Sequence, residues 1–168
     1  VDGAMVGDEA SISLWWKKGD QGAGGEDDRV RIDCYDGGSY ALTVVIWDGA
    51  VLNDQNTSQK AVEGLQVDTW YKLEVLFNRK PDNSGYDPDT TIRVFNADDT
   101  LFGSGVLTAG LGSRVVPDEI SKFDVSFRPD KGIFIDDIAI MEGTIIPEPA
   151  TMSLLAIGAV ALLRRKRS

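Results

Sequence analysis

The chain has 168 residues, 27 acidic against 17 basic, a formal net charge of −10 and not one histidine. That length holds a single domain of ordinary size plus a short appendage, and the acidic balance repels phosphate backbones, which argues against nucleic-acid binding. The lack of histidine excludes Ser-His-Asp and Cys-His nucleophilic systems, together with histidine-liganded zinc or copper.

The chain opens Val1-Asp2-Gly3, without an initiator methionine or a charged-then-apolar leader. An exported protein needs a leader, so the expectation is that the leader and some opening strands lie upstream. From there period-2 alternation dominates. Ile12, Leu14 and Trp16 interleave with Ser11, Ser13 and Trp15, and Val30, Ile32 and Cys34 with Arg31, Asp33 and Tyr35. Tyr40, Leu42, Val44 and Ile46 interleave with Thr43, Val45 and Trp47, and Tyr71, Leu73, Val75 and Phe77 with Lys72, Glu74, Leu76 and Asn78. Ile92 and Val94, then Phe123-Val125-Phe127 and Phe134–Met141, continue the pattern. Each reads as a short, half-buried strand.

Turn residues divide these runs: Asp36-Gly37-Gly38, Asp48-Gly49, Asp82-Asn83-Ser84-Gly85 and Asp130-Lys131-Gly132. Asp48-Gly49 is the clearest hairpin. Ala109–Ile120 has room for one turn of helix and no more. The expected fold is therefore all-β, an antiparallel β-sandwich of the jelly-roll kind over residues 1–144. Cys34, the single cysteine, forms no internal disulfide and reads as a small buried apolar residue.

Two patterns are candidates for binding. Trp15, Arg31, Asp33, Tyr35, Thr43, Trp47 and Lys72 share the non-core parity of their strands. Flat rings beside charged and hydroxyl groups suit a sugar, whose apolar face stacks while its hydroxyls hydrogen-bond. The alternative for these tryptophans is packing beneath loops or against the opening strands expected upstream. The loops Gly19–Asp28 and Pro81–Asp89 are acidic and contain glycine, and Asp82, Asn83, Asp87 and Asp89 offer the oxygen ligands that calcium prefers. Their spacing is not that of an EF-hand, and solvated turns are the alternative. No other cofactor is implied.

Thr69-Trp70-Tyr71-Lys72-Leu73-Glu74-Val75-Leu76-Phe77-Asn78 resembles the tryptophan-led central strand of laminin-G-like, concanavalin-A-like jelly rolls. Phe134-Ile135-Asp136-Asp137-Ile138-Ala139-Ile140 is similar to their closing strand, and Ala10–Lys18 to an earlier one. Polysaccharide-cleaving enzymes of that fold carry Glu-x-Asp-x-x-Glu on one strand, a pattern this sequence lacks. Asp136 and Asp137 are adjacent and so point to opposite faces of a strand, which cannot form a hydrolytic pair.

The last two dozen residues change character. Pro147-Glu148-Pro149 is followed by the uninterrupted apolar run Ala150–Leu163 and then by Arg164, Arg165, Lys166 and Arg167. As a helix the run spans about 21 Å, shorter than a ~30 Å hydrocarbon core, and the basic end favours the cytoplasmic side. This order of parts over 145–168 resembles the PEP-CTERM sorting signal of Gram-negative bacteria. The resemblance implies transient anchoring in the inner membrane by a short transmembrane helix. An integral-membrane exosortase then processes the chain, which is delivered to the cell surface or extracellular polysaccharide. The expected function is that of a non-catalytic cell-surface or exopolysaccharide-matrix protein, either structural or carbohydrate-binding. The alternative is a polysaccharide-active enzyme whose catalytic residues lie upstream of Val1.

Overall fold

A computed structural model describes residues 9–18, 29–82, 84–127 and 132–142. The described residues form strands β1 (Glu9–Lys18), β2 (Val30–Asp36), β3 (Ser39–Trp47), β4 (Ala50–Asn53) and β5 (Asn56–Glu63). They continue as β6 (Trp70–Asn78), β7 (Asp89–Asn96), β8 (Leu101–Thr108), β9 (Lys122–Ser126) and β10 (Ile133–Glu142). One sheet has the order β10-β1-β6-β7-β8 and the second β5-β4-β3-β2-β9, with antiparallel pairing throughout. The all-β sandwich expected from the alternation is what forms. The apolar run and sorting residues of 145–168, like the loop 19–28, lie outside the described residues. Among the described residues no helix is long and apolar enough to cross a membrane.

The core is built by the parity of the strands. Ile12, Leu14 and Trp16 of β1 meet Leu73, Val75 and Phe77 of β6 and Ile92 and Val94 of β7 on one inner face. Val30, Ile32 and Cys34 of β2 and Leu42, Val44 and Ile46 of β3 supply the other. The tryptophan-led strand β6 is the centre of its sheet, with Leu73, Val75 and Phe77 wholly buried and Lys72 and Glu74 on the far face. Burial pushes the Cys34 thiol far up, with Asp33 adding to the shift, so it behaves as the inert apolar residue its position suggested.

Turn chemistry closes the hairpins. Asp48 and Gly49 have φ of 49° and 69°, so both central residues of this two-residue loop are left-handed, and Trp47 pairs directly with Ala50. That geometry matches the right-handed twist of the flanking strands.

Several elements depart from the pattern. β3 does not alternate between core and solvent: Ala41 through Ile46 are all buried. Tyr40, read as an inner residue, is 41% exposed, because the β2–β3 register shifts between Cys34 and Tyr35 and brings Tyr40 opposite Tyr35. Phe127 lies beyond the end of β9 and is exposed. β10 is not a regular strand at Asp136-Asp137 either. Its register against β1 shifts between Ser13 and Trp15, Asp137 takes φ 47°, and its N–H donates to Asp136 Oδ1 at 2.9 Å. Ala109–Ile120 forms no helix. It is an irregular connection whose Gly110 and Val115 N–H groups donate to the carbonyls of Ala41 and Tyr40. β4 is too short to pair with that end of β3, and this loop supplies the missing donors.

Candidate functional site

The outer face of the second sheet carries the densest set of organised polar and aromatic side chains. The register puts Asp124, Asp33 and Thr43 in one row across β9, β2 and β3, and Ser126, Arg31, Val45 and Leu52 in the next. Asp33 is only 8% exposed, yet both its oxygens are engaged. Thr43 Oγ1 donates to Oδ1 at 2.5 Å and Arg31 Nε to Oδ2 at 2.8 Å. Arg31 Nη1 also lies 3.6 Å from Asp54 Oδ2, while Arg29 Nη1 donates to Asp54 Oδ1 at 3.2 Å. The hydrogen bond to Asp33 raises the pKa of Arg31, which stays charged. These bonds fix the direction of each polar group, and fixing positions is their main contribution, since half-exposed ion pairs stabilise a fold little.

Beside this network runs a ladder of rings and cations. The Tyr35 and Tyr40 rings lie 4.6 Å apart, with the Arg114 guanidinium 4.8 Å from Tyr40 and the Lys122 ammonium 4.9 Å from Tyr35. Lys122 also donates to Asp124 at 2.7 Å, a bond that holds the Asp124 carboxyl below its usual range. The Tyr35 phenol is pushed well above its usual range, first by its hydrogen bond with Tyr40 and then by burial. A partly exposed pair of facing rings flanked by cations is stable in water and leaves ring edges at the surface.

Of the residues expected to share one binding face, Arg31, Asp33, Tyr35 and Thr43 come together here. Trp15 and Lys72 do not. They pair with each other across β1 and β6, on the outer face of the opposite sheet. Period-2 parity separates inside from outside but says nothing about which sheet a strand joins, and this is why Trp15 was grouped wrongly. Trp47 has the right parity at the end of β3 but is half-buried. With Trp16, Val30, Ile46, Leu65 and Ile133 it lines a cavity of about 290 Å³ at the end of the sandwich. A register shift delivers Tyr40 and an irregular loop delivers Arg114, while Lys122 reaches the face because edge strand β9 pairs with β2, a long-range pairing that parity does not show.

The acidic oxygens of 81–89 serve as turn caps. Asp82 Oδ1 accepts from Ser84 N at 3.0 Å and Ser84 Oγ at 2.6 Å, which lowers its pKa. Asp87 Oδ1 accepts from Asp89 N at 2.9 Å, and Asp89 Oδ1 accepts from Thr108 Oγ1 at 3.1 Å. Asn83 lies outside the described residues, and among the described residues no three potential metal-ligating side chains converge. Asp82 and Asp87 are used by local donors, as in solvated turns, and Asp89 by Thr108 of the paired strand β8.

A two-sheet antiparallel sandwich with an exposed aromatic and polar face is thus joined to a distinctive C-terminal segment. That segment, residues 146–167, matches the PEP-CTERM protein-sorting motif. The motif implies export with exosortase processing and membrane-anchored sorting. No curated protein sequence matches the chain. Among solved structures, a galectin of Caenorhabditis elegans, LEC-6, is similar at 14% identity and a TM-score of 0.47, over 84% of this chain and 88% of that one. Sheep galectin-11 in complex with glycerol is similar at 11% identity and a TM-score of 0.46, over 82% and 92% respectively. An alginate lyase, vAL-1 from Chlorella virus, is similar at 13% identity and a TM-score of 0.42, over 80% and 71%.

Proposed function

We propose that this chain is an exported, non-catalytic cell-surface or exopolysaccharide-matrix protein. Its laminin-G-like sandwich, over 1–144, holds carbohydrate on the outer face of the second sheet, and 145–168 is its sorting segment. The observation that carries the reading is the Arg114–Tyr40–Tyr35–Lys122 ladder beside the fixed Arg31–Asp33–Thr43 network. A sugar laid along the exposed edges of Tyr35 and Tyr40 covers apolar surface, while its hydroxyls exchange hydrogen bonds with groups already held in place.

The same groups suit catalysis poorly. Both oxygens of Asp33 are committed to Arg31 and Thr43, and Asp124, held low by Lys122, stays ionised and is no proton donor near neutral pH. The raised Tyr35 phenol stays protonated and is no base.

A single module with few engaged groups should bind weakly, in the micromolar to millimolar range of about 4–8 kcal/mol. Replacing both Tyr35 and Tyr40 by alanine should abolish retention on an exopolysaccharide column, with the circular dichroism spectrum unchanged. A folded double variant retained like the parent chain would refute the site.

The tail makes a separate prediction. The order of Pro147-Glu148-Pro149, the apolar run and Arg164–Arg167 should give insertion with the basic end inside, followed by proteolytic loss of the segment. Intact-mass measurement on protein from its native envelope reads this directly. A mature form still ending at Ser168 would contradict exosortase processing.

A further inference from the structure

The ladder ends at Arg114, and its guanidinium is unusually placed for a surface cation. Arg114 lines a pocket of about 300 Å³ together with Ser39, Tyr40, Gln55 and Ser113, and no carboxylate contributes to that lining. Its Nε and Nη1 atoms are buried and have no hydrogen-bond acceptor. Among the described residues every other arginine on this face is paired: Arg29 with Asp54, and Arg31 with Asp33 and Asp54. Among the described residues Arg114 forms no ion pair, and it lies 4.8 Å from the Tyr40 ring. Withdrawing guanidinium N–H groups from water without an acceptor is costly, and the cost falls when a counter-charge arrives.

The backbone that carries this cation is docked in place. Arg114 N donates to Leu111 O at 3.3 Å, and the next residue, Val115, donates to Tyr40 O at 3.0 Å. The pocket wall consists of one planar cation with neutral polar residues around it: Ser39, Ser113, Gln55 and Tyr40. A guanidinium among neutral groups, with no carboxylate beside it, offers a carboxylate one charge-assisted partner.

We infer that this pocket is a carboxylate subsite, so that the glycan held on the tyrosine ladder carries a uronic acid at the Arg114 end. The inference rests on the reading of this face as a glycan site and narrows it to an acidic sugar. The net charge of −10 narrows it again. A densely charged polyanion is repelled by the protein as a whole, whereas a glycan with isolated carboxylates meets the local cation at little long-range cost.

The test compares two probes that differ in one group. The first is a neutral-sugar oligosaccharide containing a single glucuronic acid, and the second is its carboxyl-reduced form. Each is titrated calorimetrically into the full 168-residue chain held in mild detergent. The acidic probe should bind about tenfold more tightly than its reduced form, the effect expected of one charge-assisted pair. Arg114→Gln should bind the two probes alike, and Arg114→Lys should restore part of the preference. Equal affinity of the parent chain for both probes would overturn the subsite and leave the glycan face standing. Discrimination that persists in a folded Arg114→Gln variant would also overturn it. Binding of neither probe would overturn both the subsite and the glycan reading on which it rests.

Discussion

Phe77→Ala should cost about 3–5 kcal/mol of folding stability, the range for removing a fully buried aromatic side chain. Phe77 is wholly buried at the end of β6, opposite Ala10 of β1. Its ring meets Tyr86 edge-on at 6.2 Å between centroids and lies 6.4 Å from Phe123 of β9. One side chain thus ties the central strand of one sheet to an edge strand of the other. The surrounding strands cannot collapse into the space left behind, because each is pinned by its own ladder. Leu76 points the other way and is half-buried, so Leu76→Ala should cost far less. Urea midpoints at constant slope read the difference. A loss below about 1 kcal/mol for Phe77→Ala would mean that β6 is out of register by one residue, with every side chain on the wrong face.

Strands β6 and β7 were legible because each keeps one buried face and one wetter face, and β1 and β2 because their apolar residues recur at every second position, although Ser11, Ser13 and Asp33 on the other face are buried too. β3 was harder. Thr43 is buried under its bond to Asp33, and Val45 lies between Arg31 and Leu52 on the neighbouring strands, so both faces are covered. The hairpin at Asp48-Gly49 was legible for a local reason, since only such residues accept two left-handed positions in succession. β5 carried no such mark. Asn56, Thr57, Ser58, Gln59 and Lys60 have no apolar alternation, and what holds them is tertiary. Asn53 Nδ2 donates to Gln59 Oε1 at 3.0 Å and to Thr108 O at 2.9 Å, and Thr108 N donates to Gln59 Oε1 at 2.9 Å.

The candidate site was half legible for the same reason. Arg31, Asp33, Tyr35 and Thr43 fall on one parity of strands that pair with each other, and parity is written in the sequence. Grouping Trp15 with them needed the sheet order, which depends on long-range pairing. Tyr40 needed the register shift after Cys34, and Arg114 needed a loop with no period of its own, docked by two backbone hydrogen bonds onto β3.

Gly105→Ala should be the most damaging single-methyl change in the described sandwich, and it tests how the two sheets close against each other. β5 of the second sheet runs against β8 of the first along one side of the molecule. A Cβ on Gly105 would lie 2.2 Å from the Ala61 carbonyl oxygen and 2.8 Å from its C and Cα atoms. All three are backbone, so no side-chain rotation relieves the clash and the sheets must part. Parting them strains the bonds that tie Thr108, three residues along β8, to Asn53 and Gln59, so the expected loss is at least the ~1–3 kcal/mol of ordinary overpacking. Two further glycines grade the effect. At Gly103 the nearest atom is Val62 Cγ1 at 3.1 Å, a side-chain atom that can give way, so Gly103→Ala should cost less. At Gly38 a methyl meets nothing within 4 Å, and Gly38→Ala should be close to neutral. Urea unfolding of the three variants should therefore rank them 38, 103, 105 in rising cost. If Gly105→Ala unfolds at the same midpoint as Gly38→Ala, then β5 and β8 do not approach this closely in solution, and the sandwich closes along that side in some other way.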